Sequence, residues 1–242
     1  MRNQFRPLWR PLRRAARVLF HAGRARHCPV CGISARKFAP FGEVPRSDAR
    51  CLHCGSLERH RAVWLYLTRN TDLFNGRSKR VLHMAPEPCF EPLFKRRIGP
   101  GYLTADLFEP NVMEKMDLMD IRHHDATFDV IYCSHVLQHV PDDRKAIREL
   151  CRVLKPTGWA LLQMPLSAEP TFEDASITDP AQRRRVYGHS EYLRRCGSDY
   201  AERLRAEGFM VTAPDLATVI SPEEIPQMGL SKHLGALYHC TK

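Results

Sequence analysis

Acidic residues are missing from the first 42 positions: Met1 to Gly42 holds ten Arg or Lys and no Asp or Glu. The remaining 27 basic and 27 acidic residues cancel, so the whole formal charge of +10 belongs to this amino-terminal stretch. A body without net charge is not built to track a phosphate backbone, which makes nucleic acid the less favoured partner. Long apolar runs are missing as well. Nothing approaches the roughly 20 residues needed to cross a bilayer. Val18 to Phe20 is far shorter than the apolar core of a secretory peptide, although an Arg-rich, acid-free arm is compatible with an organellar transit peptide. Nor is there an even set of cysteines. Nine of them, several inside apolar runs, argue against a secreted disulfide scaffold and for a reducing compartment. A cytoplasmic location is expected, with the basic arm as the means of any peripheral attachment to a membrane.

What is present divides into three parts: an arm over 1–27, a cysteine module over 28–61, and a larger domain over 62–242. At 242 residues and 43% apolar content the chain can bury one ordinary core plus a small appendage. The arm carries eight arginines. From Pro11, a permissible first helical residue, Leu12, Ala16, Leu19 and Phe20 would share one helical face, with Arg13, Arg14 and Arg17 mostly opposite. Such a helix suits an anionic membrane surface or an acidic partner; the plain alternative is a solvated extension.

Cys28-Pro-Val-Cys31-Gly and Cys51-Leu-His-Cys54-Gly form two C-x-x-C pairs separated by 19 residues. That spacing is characteristic of structural zinc, and four thiolates leave no open position for catalysis. A disulfide is the alternative, disfavoured by the reducing compartment. Ser56 is placed to cap a following helix whose apolar face carries Val63, Trp64 and Leu67.

In the larger domain, Phe128 to Cys133 is a short, nearly continuous apolar run, the pattern of a buried parallel strand. Ser134 and His135 stand where that strand would end, the place where open parallel sheets put ligand-contacting residues. Arg80 to Glu87 reads as a strand and turn, with a helix from about Cys89 to Arg97. Tyr102 to Leu107 is a second strand ending in Asp106, whose carboxylate can take both hydroxyls of a ribose. Met116 to Ile121 sits at the end of a third, Asp142 to Leu154 reads as an amphipathic helix, and Gly158 to Pro165 as a fifth strand. Asp199 to Glu207 is a further helix, followed by strands at Phe209–Thr212 and Leu237–Thr241 that complete the sheet with an antiparallel edge. Between them, residues 166–190 are long, polar and dotted with Phe172, Tyr187 and His189, which suits a lid over a substrate pocket.

The run from Asp117 through Phe128-Asp129 and His135-Val-Leu-Gln-His-Val to Leu154-Lys-Pro-Thr-Gly158 resembles the central motifs of class I S-adenosylmethionine-dependent methyltransferases. The resemblance extends over about residues 80–242, and to members that carry an amino-terminal cysteine knuckle. It implies an α/β fold with a doubly wound, seven-stranded, mostly parallel Rossmann-like sheet, and S-adenosylmethionine as cofactor beside the structural zinc. Carried over, it implies that Asp106 and Leu107 meet the ribose, that Asp117 and Leu118 meet the adenine, and that Ser134 and His135 lie near the methyl group. The resemblance also puts the first loop, Ala85-Pro86-Glu87, at the cofactor, although the family has glycines there and His83 stands where an acid is usual. His189 ranks first as a base for the acceptor, ahead of His135, with Glu173 and Asp174 also available. Arg183, Arg184 and Arg185 suit an anionic substrate or simply a solvated face. The expected reaction is methyl transfer to an oxygen or nitrogen of a small-molecule or glycan-type acceptor. The rival readings are an rRNA or tRNA methyltransferase and a non-catalytic binding protein on the same fold.

Overall fold

The computed structural model describes residues 22–230 and 234–242. The helix expected from Pro11 lies outside them. The described residues form two compact units, one of 22–72, 88–92, 215–230 and Leu234, the other of 73–87, 93–214 and 235–242.

In the first unit two short hairpins precede a helix. The hairpins are β1 (Arg26–His27) with β2 (Ser34–Ala35), and β3 (Ala39–Phe41) with β4 (Arg46–Arg50); the helix is α1 (Glu58–Arg69). The division expected after residue 61 falls inside α1. The reason is packing: Ala62 and Leu65 of α1 are buried against Ile220, Met228 and Leu230, so the helix belongs with the cysteine module. Ser56 does not cap the helix as expected. Its hydroxyl lies 3.2 Å from the sulfurs of both Cys28 and Cys54, and His60 Nδ1 accepts the Leu57 N–H instead. Arg61 is fully buried beneath Phe38, 4.3 Å from the ring centroid. Its guanidinium donates to the carbonyls of Ala49, Ser56, Met228 and Gly229, tying the second cysteine turn to residues 228–229.

The second unit is a seven-stranded sheet. Its strands are β5 (Val81–Met84), β6 (Tyr102–Asp106), β7 (Glu114–Lys115), β8 (Phe128–Ser134), β9 (Leu154–Met164), β10 (Met210–Thr212) and β11 (Ala236–Thr241), in the order β10-β11-β9-β8-β5-β6-β7. Only β11 runs against the rest; β10 pairs antiparallel to β11 and therefore points the same way as β9. The expected third strand is shorter and earlier than Met116–Ile121. Met116 and Leu118 are buried in the core instead, and Asp117 bridges back to Asp120.

The buried character of β8 follows from its place in the middle of the sheet, flanked by parallel neighbours on both sides. Its one polar interior residue, Asp129, accepts Arg80 N–H and the Lys155 ammonium, each at 2.8 Å. Gly158 permits the close approach of β9, since a Cβ there would stand 2.6 Å from the Asp129 carbonyl oxygen. Helix α2 (Glu91–Ile98) follows β5, and α3 (Asp143–Val153) buries Ala146, Ile147, Leu150 and Val153 on one face. Asp142 caps α3 by accepting Lys145 N–H at 2.9 Å. The later helices are α4 (Pro180–Tyr187) and α5 (Tyr200–Ala206). Among the described residues no helix is long and apolar enough to cross a membrane.

Candidate active site

The chain winds outward from β5 through β6 to β7, then returns to the other side of β5 with β8 and β9. The carboxyl ends of β5 and β8 are thus the point where the winding reverses, where neighbouring loops part and leave a crevice. A cleft of about 710 Å³ opens there.

Two residues at its base have left-handed backbones without being glycine: Ala85, directly after β5, at φ +48°, and His135, directly after β8, at φ +57°. Each is fixed by a ladder hydrogen bond, Ala85 N–H to the Ala105 carbonyl at 2.8 Å and His135 N–H to the Gln163 carbonyl at 2.7 Å. Such conformations store strain of order 1–3 kcal/mol and gather at functional sites.

Of the residues expected at a cofactor, Ala85, Asp106, Leu107, Asp117, Leu118 and His135 line the cleft. Asp106 holds its own loop, with Oδ1 accepting from Phe108 and Glu109 N–H at 2.7 and 2.8 Å; Asp117 Oδ1 accepts Met119 N–H at 2.8 Å. Each carboxylate therefore spends one oxygen on rigidity. The walls are apolar, from Met84, Met116, Leu118 and Val136, and the exposed side chains of Leu107 and Phe108 stand at the same cleft. An apolar slot with a few fixed carboxylates at strand ends suits a nucleoside.

Ser134, Pro86, Glu87 and His189 do not line the cleft. The Ser134 hydroxyl is buried and donates to Gln163 Oε1 at 3.2 Å, because the last residue of β8 turns its side chain toward β9. Glu87 folds back onto His83 and Tyr132. His189 Nδ1 accepts Glu191 N–H at 3.2 Å, which occupies its lone pair. In its place the cleft presents His139, and Glu191 beside it. Residues 134–140 form a loop with one 3-10 turn at Leu137–His139, so His135 and His139 do not lie on a common helical face. His139 Nδ1–H donates to the Glu191 carbonyl at 3.2 Å, which leaves Nε2 with its lone pair. Burial pushes this imidazole below its ordinary value, which favours the neutral form. The His-x-x-x-His spacing was visible in the sequence, but not that both residues would line the cleft.

The loop that carries His135 and His139 is held from a distance. Arg194, almost fully buried, donates to the carbonyls of Leu137, Val140 and Pro141 at 2.6–2.9 Å, and its Nε meets Glu173 at 2.9 Å. Residues 166–190 are fastened at their front by Thr171 on Asp199 and by a two-residue bridge between Phe172 and Arg195. They do not line the cleft. Leu166, Ser167 and Tyr187 line a smaller cavity of about 210 Å³ together with Gln138 and Tyr192. Tyr192 also packs edge-on against His139, at 4.9 Å between ring centroids.

In the first unit the two cysteine turns are built alike. Cys28 and Cys51 each accept from the glycine four residues on, at 2.8 and 3.0 Å, and each donates its N–H to the residue five on. Gly32 and Gly55 adopt φ +72° and +79°, the left-handed step that closes each turn. All four sulfurs lie within 4.8 Å of one another, and all four thiols are free. A tetrahedron of sulfurs about 2.3 Å from a zinc ion has edges of about 3.8 Å; Cys28 and Cys54 are 3.7 Å apart, Cys31 and Cys51 3.8 Å. The spacing fits a bound zinc and is far too long for disulfides, about 2.05 Å.

A family model described as "Methyltransferase domain" matches residues 95–162. The chain is 33% identical over 105 residues to the 27-O-demethylrifamycin SV methyltransferase of Amycolatopsis mediterranei (strain S699). That match covers 43% of this chain and 37% of the relative, so the chain spans little more than a third of the relative's length. Among solved structures, an S-adenosylmethionine-dependent methyltransferase from Mesorhizobium loti aligns with a TM-score of 0.50 at 17% identity, over 75% of this chain and 98% of that one. The [4+2]-cyclase SpnF aligns with a TM-score of 0.50 at 16% identity, over 89% and 91%. The two neighbours share the fold while their names state different reactions. The matched segment and the seven-stranded sheet with its single reversed strand give the chain a Rossmann-like methyltransferase fold.

Proposed function

We propose that this protein is an S-adenosylmethionine-dependent methyltransferase that methylates an oxygen or nitrogen of a small-molecule or glycan-type acceptor. The observation that carries the reading is the cleft at the reversal of the sheet, where Asp106 and Asp117 meet apolar walls and His139. A small-molecule acceptor is supported by the absence of net charge outside the arm and by the 27-O-demethylrifamycin SV in the name of the relative. When bound, the cofactor supplies a methyl group on a sulfonium, open to in-line attack by the acceptor's lone pair. Asp106 offers its second carboxylate oxygen to ribose hydroxyls, and Leu107 and Leu118 offer apolar surface to the adenine. His139 holds Nε2 ready to take the proton that the acceptor loses. Arg194 keeps that ring in place by clamping Leu137, Val140 and Pro141.

Isothermal titration with S-adenosylhomocysteine tests this directly. The wild type is expected to bind, and Asp106→Ala to bind at least about tenfold more weakly; no binding to the wild type refutes the reading.

The four cysteines are proposed to hold one structural zinc. Their closed tetrahedral arrangement supports it. Metal analysis of reduced protein should find about one zinc per chain, lost together with cooperative unfolding in Cys51→Ser. A metal-free wild type that melts unchanged refutes it.

A further inference from the structure

A buried polar chain beneath the first loop of the cleft has no part in the mechanism above. Tyr102 Oη lies 2.8 Å from His83 Nδ1, His83 Nε2 lies 2.7 Å from Glu87 Oε2, and Tyr132 O–H donates to Glu87 Oε1 at 3.0 Å. His83 is wholly buried and the Glu87 side chain only 12% exposed. The rings of Phe94 and Tyr132 stand 5.4 and 5.0 Å from that of His83. As a carboxylate, Glu87 accepts from both His83 Nε2–H and Tyr132 O–H, an arrangement that suits an anion. Buried acids are retained where their charge is used or held in a network.

The place is informative. His83 lies on β5 directly opposite Tyr132 on β8, the two strands between which the cleft opens. Glu87 is two residues beyond Ala85, the strained residue that lines it. Burial, with a smaller contribution from Glu87, pushes up the thiol of Cys133, one residue before Ser134.

We propose that Glu87 is a positioning residue for the cofactor. Held by His83 and Tyr132, it anchors the glycine-free loop 85–87 and places a fixed negative charge behind it, so that the cleft favours the cationic sulfonium over the neutral thioether left after transfer. The proposal rests on the methyltransferase reading, and its test separates the two. Titration calorimetry with S-adenosylmethionine and S-adenosylhomocysteine gives a ratio of affinities for each variant. Glu87→Gln keeps the shape and removes the charge; the ratio is expected to move toward the thioether by about threefold or more. Tyr132→Phe keeps the charge and removes one donor; both affinities should weaken while the ratio stays within about twofold of wild type.

An unchanged ratio in Glu87→Gln overturns the inference, even if both affinities fall together, and leaves the methyltransferase reading standing. Failure of the wild type to bind either ligand sinks the reading itself. Should Glu87→Gln fail to fold by circular dichroism, the wild type still decides. Tighter binding of the thioether than of the sulfonium by more than about threefold is incompatible with a charge-selective cleft, and the opposite order supports it.

Discussion

Replacing Ala85 by glycine should stabilise the protein although no contact is added. Ala85 holds φ +48°. A left-handed conformation costs an L-residue roughly 1–2 kcal/mol, and Pro86 narrows the choices of the residue before it further, which places the strain toward the upper end. Glycine removes that term but brings about 0.5–1 kcal/mol of extra freedom in the unfolded chain. The difference is a gain of about 0–1.5 kcal/mol. For a chain of this length each kcal/mol moves the melting point by about 2–4 °C, so a rise of up to about 6 °C is expected in calorimetry. Ala85→Val should move the other way, because a β-branched side chain at positive φ is a genuine outlier. The order of stability is therefore glycine, then alanine, then valine. An Ala85→Gly protein less stable than wild type by more than about 1 kcal/mol, or a valine variant as stable as wild type, would show that the loop does not carry this strain.

His139→Asn should lower kcat by about 10²–10⁴-fold at pH 8 with S-adenosylhomocysteine affinity unchanged; a loss below threefold refutes the base assignment. Because burial depresses His139, its neutral form persists as pH falls, and the acid limb of kcat/KM for the wild type should lie below the ordinary histidine value of 6.5. Acid stability has a readable contributor in the first unit. The Arg69 guanidinium holds Glu224 down to about 2, against an ordinary 4.5. A depressed carboxylate stabilises the fold above its unfolded value and loses that contribution as pH falls through its folded one. Wild type should therefore lose more stability than Glu224→Gln between about pH 4.5 and 2, in urea titrations at each pH; equal losses would show that the pair is immaterial.

Much of the sheet was legible in the sequence because its signals are local. The apolar run Phe128–Cys133 could only be a strand covered on both faces, Asp142 announced the start of α3, and the paired C-x-x-C turns announced a four-sulfur cluster that the structure closes to within 4.8 Å. Asp106 and Asp117 could be placed at the cleft for the same reason, since the end of a parallel strand at a reversal of winding is a position in the chain as well as in space.

Tertiary structure alone decided the rest. Whether Glu87 faces the cleft depends on where His83 and Tyr132 stand on neighbouring strands. That His135 and His139 meet the cleft and His189 does not depends on a loop clamped by Arg194, more than fifty residues downstream. The left-handed turn at Ala85 is imposed by hydrogen bonds to β6 and by the anchored Glu87, against the preference of alanine itself. Local pattern sets what a segment can become; the direction of each functional side chain is settled by partners far away in sequence, where no periodicity reaches.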